Sequence, residues 1–225
     1  KDKLFITAGE RGEGMIAQNP QKHPGSIIRI NLDGSIPKDN PKFIDKENWL
    51  PEIYQIGVRN PQGMTLSPFD DQIYISNHGP MGGDFIGIVN HSGNYGWKEI
   101  GWGGKNYSGS KIGDGEPFKE KFDKPLISWV PSIAPGNIKF YDKDMFDQWK
   151  TDLLVTSLKF NMLIKLEIED RKVIDEEIIF RGCKPFQVDC FNIKRIRDIE
   201  IDKRGNIFII SDDKNSSLWK IFHKN

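Results

Sequence analysis

Cysteine and histidine are scarce in this sequence, and neither sign of charge is in excess. Only two Cys and four His occur among 225 residues. Cys183 and Cys190 lie seven positions apart in RGCKPFQVDCFN with no His nearby, which excludes a four-ligand Cys/His zinc site. The pair is either a small disulfide loop in an oxidising compartment or two free thiols. Lys plus Arg total 32 and Asp plus Glu total 32, so the formal charges cancel. That balance argues against a nucleic-acid binder or a polybasic membrane-surface protein, both of which need a positive excess. No apolar run approaches the roughly 20 residues that a transmembrane helix requires. The chain opens on Lys1-Asp2-Lys3 with no apolar stretch behind it, so no secretory leader is visible. No Ser-His-Asp or Cys-His set stands out, which leaves nucleophilic hydrolysis without support.

Long helical periodicity is absent as well, the best helical stretch being the short one around Asp142 to Lys150. What the chain has is turn chemistry and β-formers: 22 Gly, 13 Pro, and 11% aromatics with Phe the commonest. Short β-branched and aromatic runs bounded by Gly, Asn, Asp and Pro recur from end to end. They form a repeat. Its second strand reads Leu4–Thr7, Ile73–Ser76, Leu153–Thr156 and Phe208–Ser211. The third strand follows each time, at Ser26–Ile30, Phe85–Val89, Met162–Leu166 and Leu218–Ile221. A first strand precedes the last three copies, at Gly63–Leu66, Asn137–Phe140 and Asp198–Ile201.

One such unit cannot bury both faces of its small sheet, so copies must stack. Radial stacking of four-stranded sheets makes a β-propeller. The predicted fold is all-β, one propeller domain over residues 1–225, with about four blades. The first copy lacks its opening strand, and a hairpin strand without its partner exposes unpaired backbone groups. The expectation is therefore a fragment with at least one blade missing ahead of it. The alternative is a C-terminal segment that closes a four-bladed ring.

Unusual residues collect where blades meet loops: Gly57 to Gly63, Asn77 to Asp84, Ser157 to Lys159, and Lys194 to Asp198. Arg59, Lys159, Arg195 and Arg197 all lie at strand ends in register with the repeat. Equivalent positions of a propeller face one mouth, so these cations are predicted to converge, and converging cations in a neutral protein imply an anionic ligand. Arg195 and Arg197, two apart on a strand, point to one face. The competing expectation is that each Arg is neutralised by a local carboxylate, with Asp198 the obvious candidate.

The Gly- and Pro-rich loop after His78 lacks Walker spacing and a following helix, so it is no phosphate cradle. It suits a sharp turn that presents backbone carbonyls to a hard cation such as calcium, with Asp84 adding a carboxylate or capping the turn. His78 is read as a ligand-facing donor, and His23 and His91 as turn residues. Asn94-Tyr95-Gly96-Trp97 and Ser128-Trp129-Val130-Pro131-Ser132 place aromatics in loops, either to stack on a sugar or planar cofactor or to pack the blade rim.

These residues resemble the soluble pyrroloquinoline-quinone-dependent glucose and aldose sugar dehydrogenases. The likeness runs from Gly9-Glu10-Arg11-Gly12 to Leu218-Trp219, carried by Gly25 to Pro41, RNPQG from Arg59, HGPMGGD from His78, NYGW from Asn94, PSIAP from Pro131, SLK from Ser157 and RIRD from Arg195. The resemblance implies a six-bladed propeller holding pyrroloquinoline quinone (PQQ), which bears three carboxylates, together with Ca2+. It implies that Arg59 and Asn60 meet the quinone oxygens, with Arg59 polarising the carbonyl that accepts hydride. Lys159, Arg195 and Arg197 hold carboxylates, and His78 contacts the cofactor where glucose-type members tend to carry Gln. The carbonyls of Gly79 and Pro80 bind the calcium. Among the loop aromatics, Trp129 is the residue expected on the substrate side.

The reaction implied is hydride transfer from C1 of an aldose to the quinone, giving a lactone, with electrons passed on to an external acceptor. The general base is a His that the resemblance puts ahead of Leu4, so this chain is expected to be inactive alone. Two departures from the pattern bear on specificity. Phe85 stands where a Glu is usual, which weakens any additional calcium site near Asp84 and Tyr95. The short loop between Arg11 and Gly25 favours the broad aldose branch over the strict glucose enzyme. A periplasmic or secreted location follows from the resemblance. The alternatives are a calcium-dependent lactonase on a similar propeller and a non-catalytic propeller that binds carbohydrate or protein partners.

Overall fold

The β-branched runs become strands at every position the repeat marks. In the computed structural model, which describes residues 2–183 and 191–223, the chain forms two compact units. The first comprises residues 1–61 and 77–132, the second residues 62–76 and 133–225.

In the first unit, strands β1 (Lys3–Ala8), β2 (Ser26–Asn31), β3 (Ile53–Ile56) and β7 (Gly93–Asn94) form one sheet in the order β1-β2-β3-β7. β1 pairs antiparallel with β2, setting Leu4 opposite Ile30 and Ile6 opposite Ile28, while β7 joins β3 in parallel. β6 (Asp84–Ile88) pairs antiparallel with β8 (Ile127–Trp129) and is buried at all of its positions. Burial on both faces explains its nearly unbroken apolar sequence. Gly25 shows why glycine precedes β2. Its φ is +79°, and a Cβ there would sit 2.3 Å from that of Ala17. Two small clusters contribute to the core of this unit, Trp49 with Ile53 and Ile56, and Ala17 with Trp97 and Ile112.

The second unit carries β4 (Pro61–Leu66) from Gln62 onward and β5 (Ile73–Asn77) as far as Ser76. It also holds β9 (Pro135–Phe140), β10 (Leu153–Ser157), β11 (Met162–Glu169) and β12 (Lys172–Arg181), in the sheet order β12-β11-β10-β9. A second sheet, β13-β14-β15, is made by Ile196–Ile201, Ile207–Ser211 and Leu218–Ile221. Tyr141, Phe146, Leu154, Leu163, Ile193, Ile196, Ile199, Ile201, Ile207 and Ile209 form its core. The strand starts approach each other closely. A Cβ on Gly63 would lie 2.8 Å from the Gly136 carbonyl oxygen, and one on Gly136 would lie 2.4 Å from that of Arg197. Only glycine lets backbones come so near.

Four strands were not legible beforehand: β3, β7, β8 and β12. The first three are short pieces inside long connections. β12 is obscured by its charges, since Asp175, Glu176 and Glu177 interrupt its apolar pattern. It exists as the outer strand on β11, with register shifts at Leu163/Ile164 and Glu167/Ile168. Charged side chains of this kind also protect an edge from foreign pairing. The stretch Asp142 to Lys150 is not a helix; it holds only a 3₁₀ turn, Asp147–Trp149. The α-helix present is four residues long, Pro41–Ile44, and starts with Pro at its first turn.

Asp152 is the carboxylate least at ease in this fold. It is 4% exposed, and burial pushes its pKa from 3.8 up to about 6 despite Lys165 Nζ at 3.7 Å. A carboxyl whose folded pKa is raised binds its proton more tightly folded than unfolded. Its stabilising contribution is full below the ordinary carboxylate value and is lost as pH rises through about 6. Asp152→Asn is therefore expected to raise stability near neutral pH by about 1–2 kcal/mol and to flatten the pH dependence between about 4 and 7. Urea unfolding of both proteins at several pH values reads this directly. A neutral-pH loss of stability in the variant would contradict it.

Candidate functional site

In the first unit the site is organised by the residue that ends β5. Asn77 Oδ1 accepts the backbone N–H groups of Arg59 at 3.0 Å and Asn60 at 2.8 Å, which pins the turn into β4. The Asn60 carbonyl in turn accepts His78 N–H at 3.0 Å. The Arg59 guanidinium donates through one nitrogen to the carbonyls of His78 and Gly79, at 3.1 and 3.2 Å. Its faces lie 5.3 Å from the Trp97 ring centre and 5.7 Å from that of Tyr107. Tyr107 is 73% exposed, so the guanidinium lies at the surface of the unit. No carboxylate pairs with Arg59 among the described residues.

The loop from His78 is held from within. Asp84, fully buried, accepts Gly79 N–H at 2.7 Å and the Ser132 hydroxyl. Gly82 and Gly83 take φ of +94° and +76°, and a Cβ on Gly83 would fall 2.0 Å from the Gly101 carbonyl oxygen. The glycines are there for the turn. Asp84 is thus a loop-closing acceptor, one of the two roles weighed for it. Phe85, behind it, is buried 4.6 Å from the Tyr95 ring, whose hydroxyl donates to the Ile88 carbonyl at 2.8 Å. That corner is core. Trp129 is 8% exposed and ends β8.

In the second unit Arg195 and Arg197 meet on one carboxylate that the sequence reading did not select. Asp212 Oδ2 accepts Arg195 Nη2 at 3.2 Å, Arg197 Nε at 3.2 Å and Arg197 Nη2 at 2.6 Å. These bonds, Arg197's first, hold the Asp212 pKa below the usual carboxylate value. Arg195 also donates Nε to the Asp212 carbonyl, and Arg197 donates Nη1 to Gln62 Oε1 at 2.7 Å. The two arginines do share a side, but not by simple strand alternation. Arg195 has φ of +43°, ahead of β13, and the ladder shifts register between Ile196 and Asp198.

Asp198, the expected neutraliser, accepts from Asn137 Nδ2 instead. Lys159 is exposed, packs over Phe160 at 5.3 Å and has no ion pair among the described residues. Its turn is tied to the same cluster, because Asn161 Oδ1 accepts the Arg195 N–H at 2.7 Å. The two arginines exceed the one carboxylate they share.

Asp212 and Asn77 were missed, although a signal existed. Ile75-Ser76-Asn77 and Ile210-Ser211-Asp212 hold one place in the repeat, the end of the second strand. In both copies the residue there accepts from the arginine-bearing segment leading into the first strand.

Residues 1–220 match the family described as Glucose / Sorbosone dehydrogenase. The chain belongs to this family. Among glucose/sorbosone dehydrogenase relatives, it is 34% identical to the aldose sugar dehydrogenase YliI of Escherichia coli (strain K12), over all of this chain and 58% of that protein. It is 27% identical to quinoprotein glucose dehydrogenase B of Acinetobacter calcoaceticus, over 97% of this chain and 58% of the relative. The crystal structure of the soluble aldose sugar dehydrogenase from Escherichia coli in the apo-form superposes with a TM-score of 0.86 at 33% identity, covering 98% of this chain and 60% of that one. The chain thus spans somewhat over half the length of these glucose/sorbosone dehydrogenase relatives. Its fold class is that of the family, all-β and of the propeller type, with four sheets as the blades of a part-length chain.

The residues present suit the groups that the resemblance implies. Asp212 is a carboxylate already seated between two guanidiniums, so Arg195 and Arg197 are able to share such an acceptor. Lys159 and Arg59 have charge to spare for others. For calcium, the His78 and Gly79 carbonyls converge on a single cationic nitrogen, and oxygen donors of this kind are the ones calcium takes. No cluster of three or more His, Cys, Asp or Glu suited to a metal occurs among the described residues.

Proposed function

We propose that this chain is part of a PQQ- and calcium-dependent sugar dehydrogenase that oxidises aldoses at C1 to lactones, with broad aldose specificity. The observation that carries the reading is the pair of arginines on one carboxylate, with Lys159 at an equivalent place in the repeat and in no ion pair among the described residues. PQQ, when bound, supplies the two-electron acceptor and three carboxylates. Arg195, Arg197 and Lys159 hold those carboxylates through charge-assisted hydrogen bonds. Arg59 and Asn60 would donate to the quinone oxygens, where the Arg59 cation would stabilise negative charge. The backbone of the turn after His78, including the Gly79 and Pro80 carbonyls, holds the calcium, and the His78 side chain lines the cofactor. Proton removal from the C1 hydroxyl falls to a His outside this chain.

A periplasmic or secreted location agrees with the disulfide bond at Cys183; Cys190 lies outside the described residues. No helix among the described residues is long and apolar enough to cross a membrane. The lactonase alternative has no carboxylate cluster among these residues to support it.

The test is dye reduction by the full gene product, reconstituted with calcium and PQQ, on a panel of aldoses. Turnover of several aldoses is expected. Failure with every sugar, despite measurable PQQ binding, would leave the non-catalytic propeller; failure to bind PQQ would remove the reading altogether.

A further inference from the structure

Arg195 and Arg197 reach their shared position from unfavourable starts. Arg195 sits in the left-handed region at φ +43°, and Arg197 lies at a register shift of the β13–β14 ladder. Neither guanidinium is buried enough for packing to fix it, with side-chain exposures of 50% and 38%. What fixes them is Asp212. Its Oδ2 accepts from both guanidiniums, and its main-chain oxygen and nitrogen bond Arg195 Nε and the Arg195 carbonyl, both near 2.9 Å. Gln62 takes the remaining bonded nitrogen of Arg197.

We infer that Asp212 is a positioning residue that orients Arg195 and Arg197 for an anionic ligand, its carboxylate remaining in place when that ligand binds. This rests on the cofactor reading above and adds a residue to it. The idea runs against simple electrostatics. A carboxylate next to a site for a tricarboxylate anion lowers the local potential, so its charge alone opposes binding. Positioning and charge therefore predict opposite signs for its removal. If Asp212 only neutralises the arginines, or is displaced by the ligand's own carboxylate, deleting it tightens binding. If it orients them, deleting it weakens binding, because two exposed long side chains must then be ordered at the moment of association.

The experiment is titration of the full gene product with PQQ in the presence of calcium, followed by quenching of protein fluorescence, for wild type, Asp212→Asn, Asp212→Ala and Asp213→Asn. Asp213 is the control. Its carboxylate lies 3.9 Å from Lys194 Nζ and makes no bond to either arginine, so its removal changes local charge without releasing them. The expected order of affinity is wild type, then Asp212→Asn, which keeps one acceptor oxygen, then Asp212→Ala, weakened about tenfold. Asp213→Asn is expected to bind as well as wild type or tighter. Equal or tighter binding by Asp212→Ala overturns the inference while leaving the cofactor reading intact; no binding by wild type removes that reading instead. Melting temperatures of the unliganded variants within a few degrees of wild type are required. A collapsed Asp212→Ala would shift the decision to Asp212→Asn, where affinity equal to or above wild type counts against positioning.

Discussion

Arg197→Ala is expected to weaken PQQ binding by about 2 kcal/mol, or roughly 30-fold, the lower end for loss of a charged hydrogen-bonding partner because the side chain is partly exposed. Arg197 is the better-held arginine, with two bonds to Asp212 and one to Gln62, so its guanidinium is already in place when an anion arrives. Lys159→Ala should cost less, since Lys159 is exposed and its ammonium is in no ion pair among the described residues. Both losses should shrink as salt is raised, because exposed charges are screened over about 8–10 Å near physiological ionic strength. Equilibrium titration with PQQ at two salt concentrations measures all of this. Unchanged affinity in Arg197→Ala would withdraw the arginine from the cofactor site.

Asp84→Ala should have the largest effect on stability, on the order of 2–4 kcal/mol, because it strands buried donors that have no access to water. Asp84 is fully buried, and the Gly79 N–H and Ser132 hydroxyl both depend on it. Asp84→Asn, which keeps one acceptor and adds donors, should fall between wild type and Ala. The effect should also reach the site. The turn that presents the His78 and Gly79 carbonyls to Arg59 is closed by this carboxylate, so calcium-dependent PQQ binding should fall with it. Urea unfolding of the unliganded protein isolates the stability term; a loss under about 0.5 kcal/mol, the size of an ordinary surface change, would show that the loop closes by other means.

These two residues mark how far the sequence could be read. Arg197 was selected because strand-end cations recur with the repeat, and the repeat is a local pattern of β-formers between turn residues. Asp84 was noticed but its role stayed divided between metal ligand and turn cap. Which it is depends on whether Ser132, 48 positions away, supplies a hydroxyl to it. Asp212 was passed over for Asp198, which is adjacent to Arg197 in sequence but turns to Asn137. Adjacency along a strand places side chains on opposite faces, while pairing between strands brings distant residues together.

The all-β class, the strands of the repeat and the glycine-bearing turns are legible in the sequence, because each is written in periods and spacings shorter than one blade. The family is legible too, from motifs that keep their order along nearly the whole chain. Tertiary contacts alone set which carboxylate takes the two arginines, that Asp84 accepts from Gly79 and Ser132, and that β12 exists at all. Those outcomes depend on register shifts and on contacts between segments far apart in the chain. A shift of one residue in a ladder redirects every side chain beyond it.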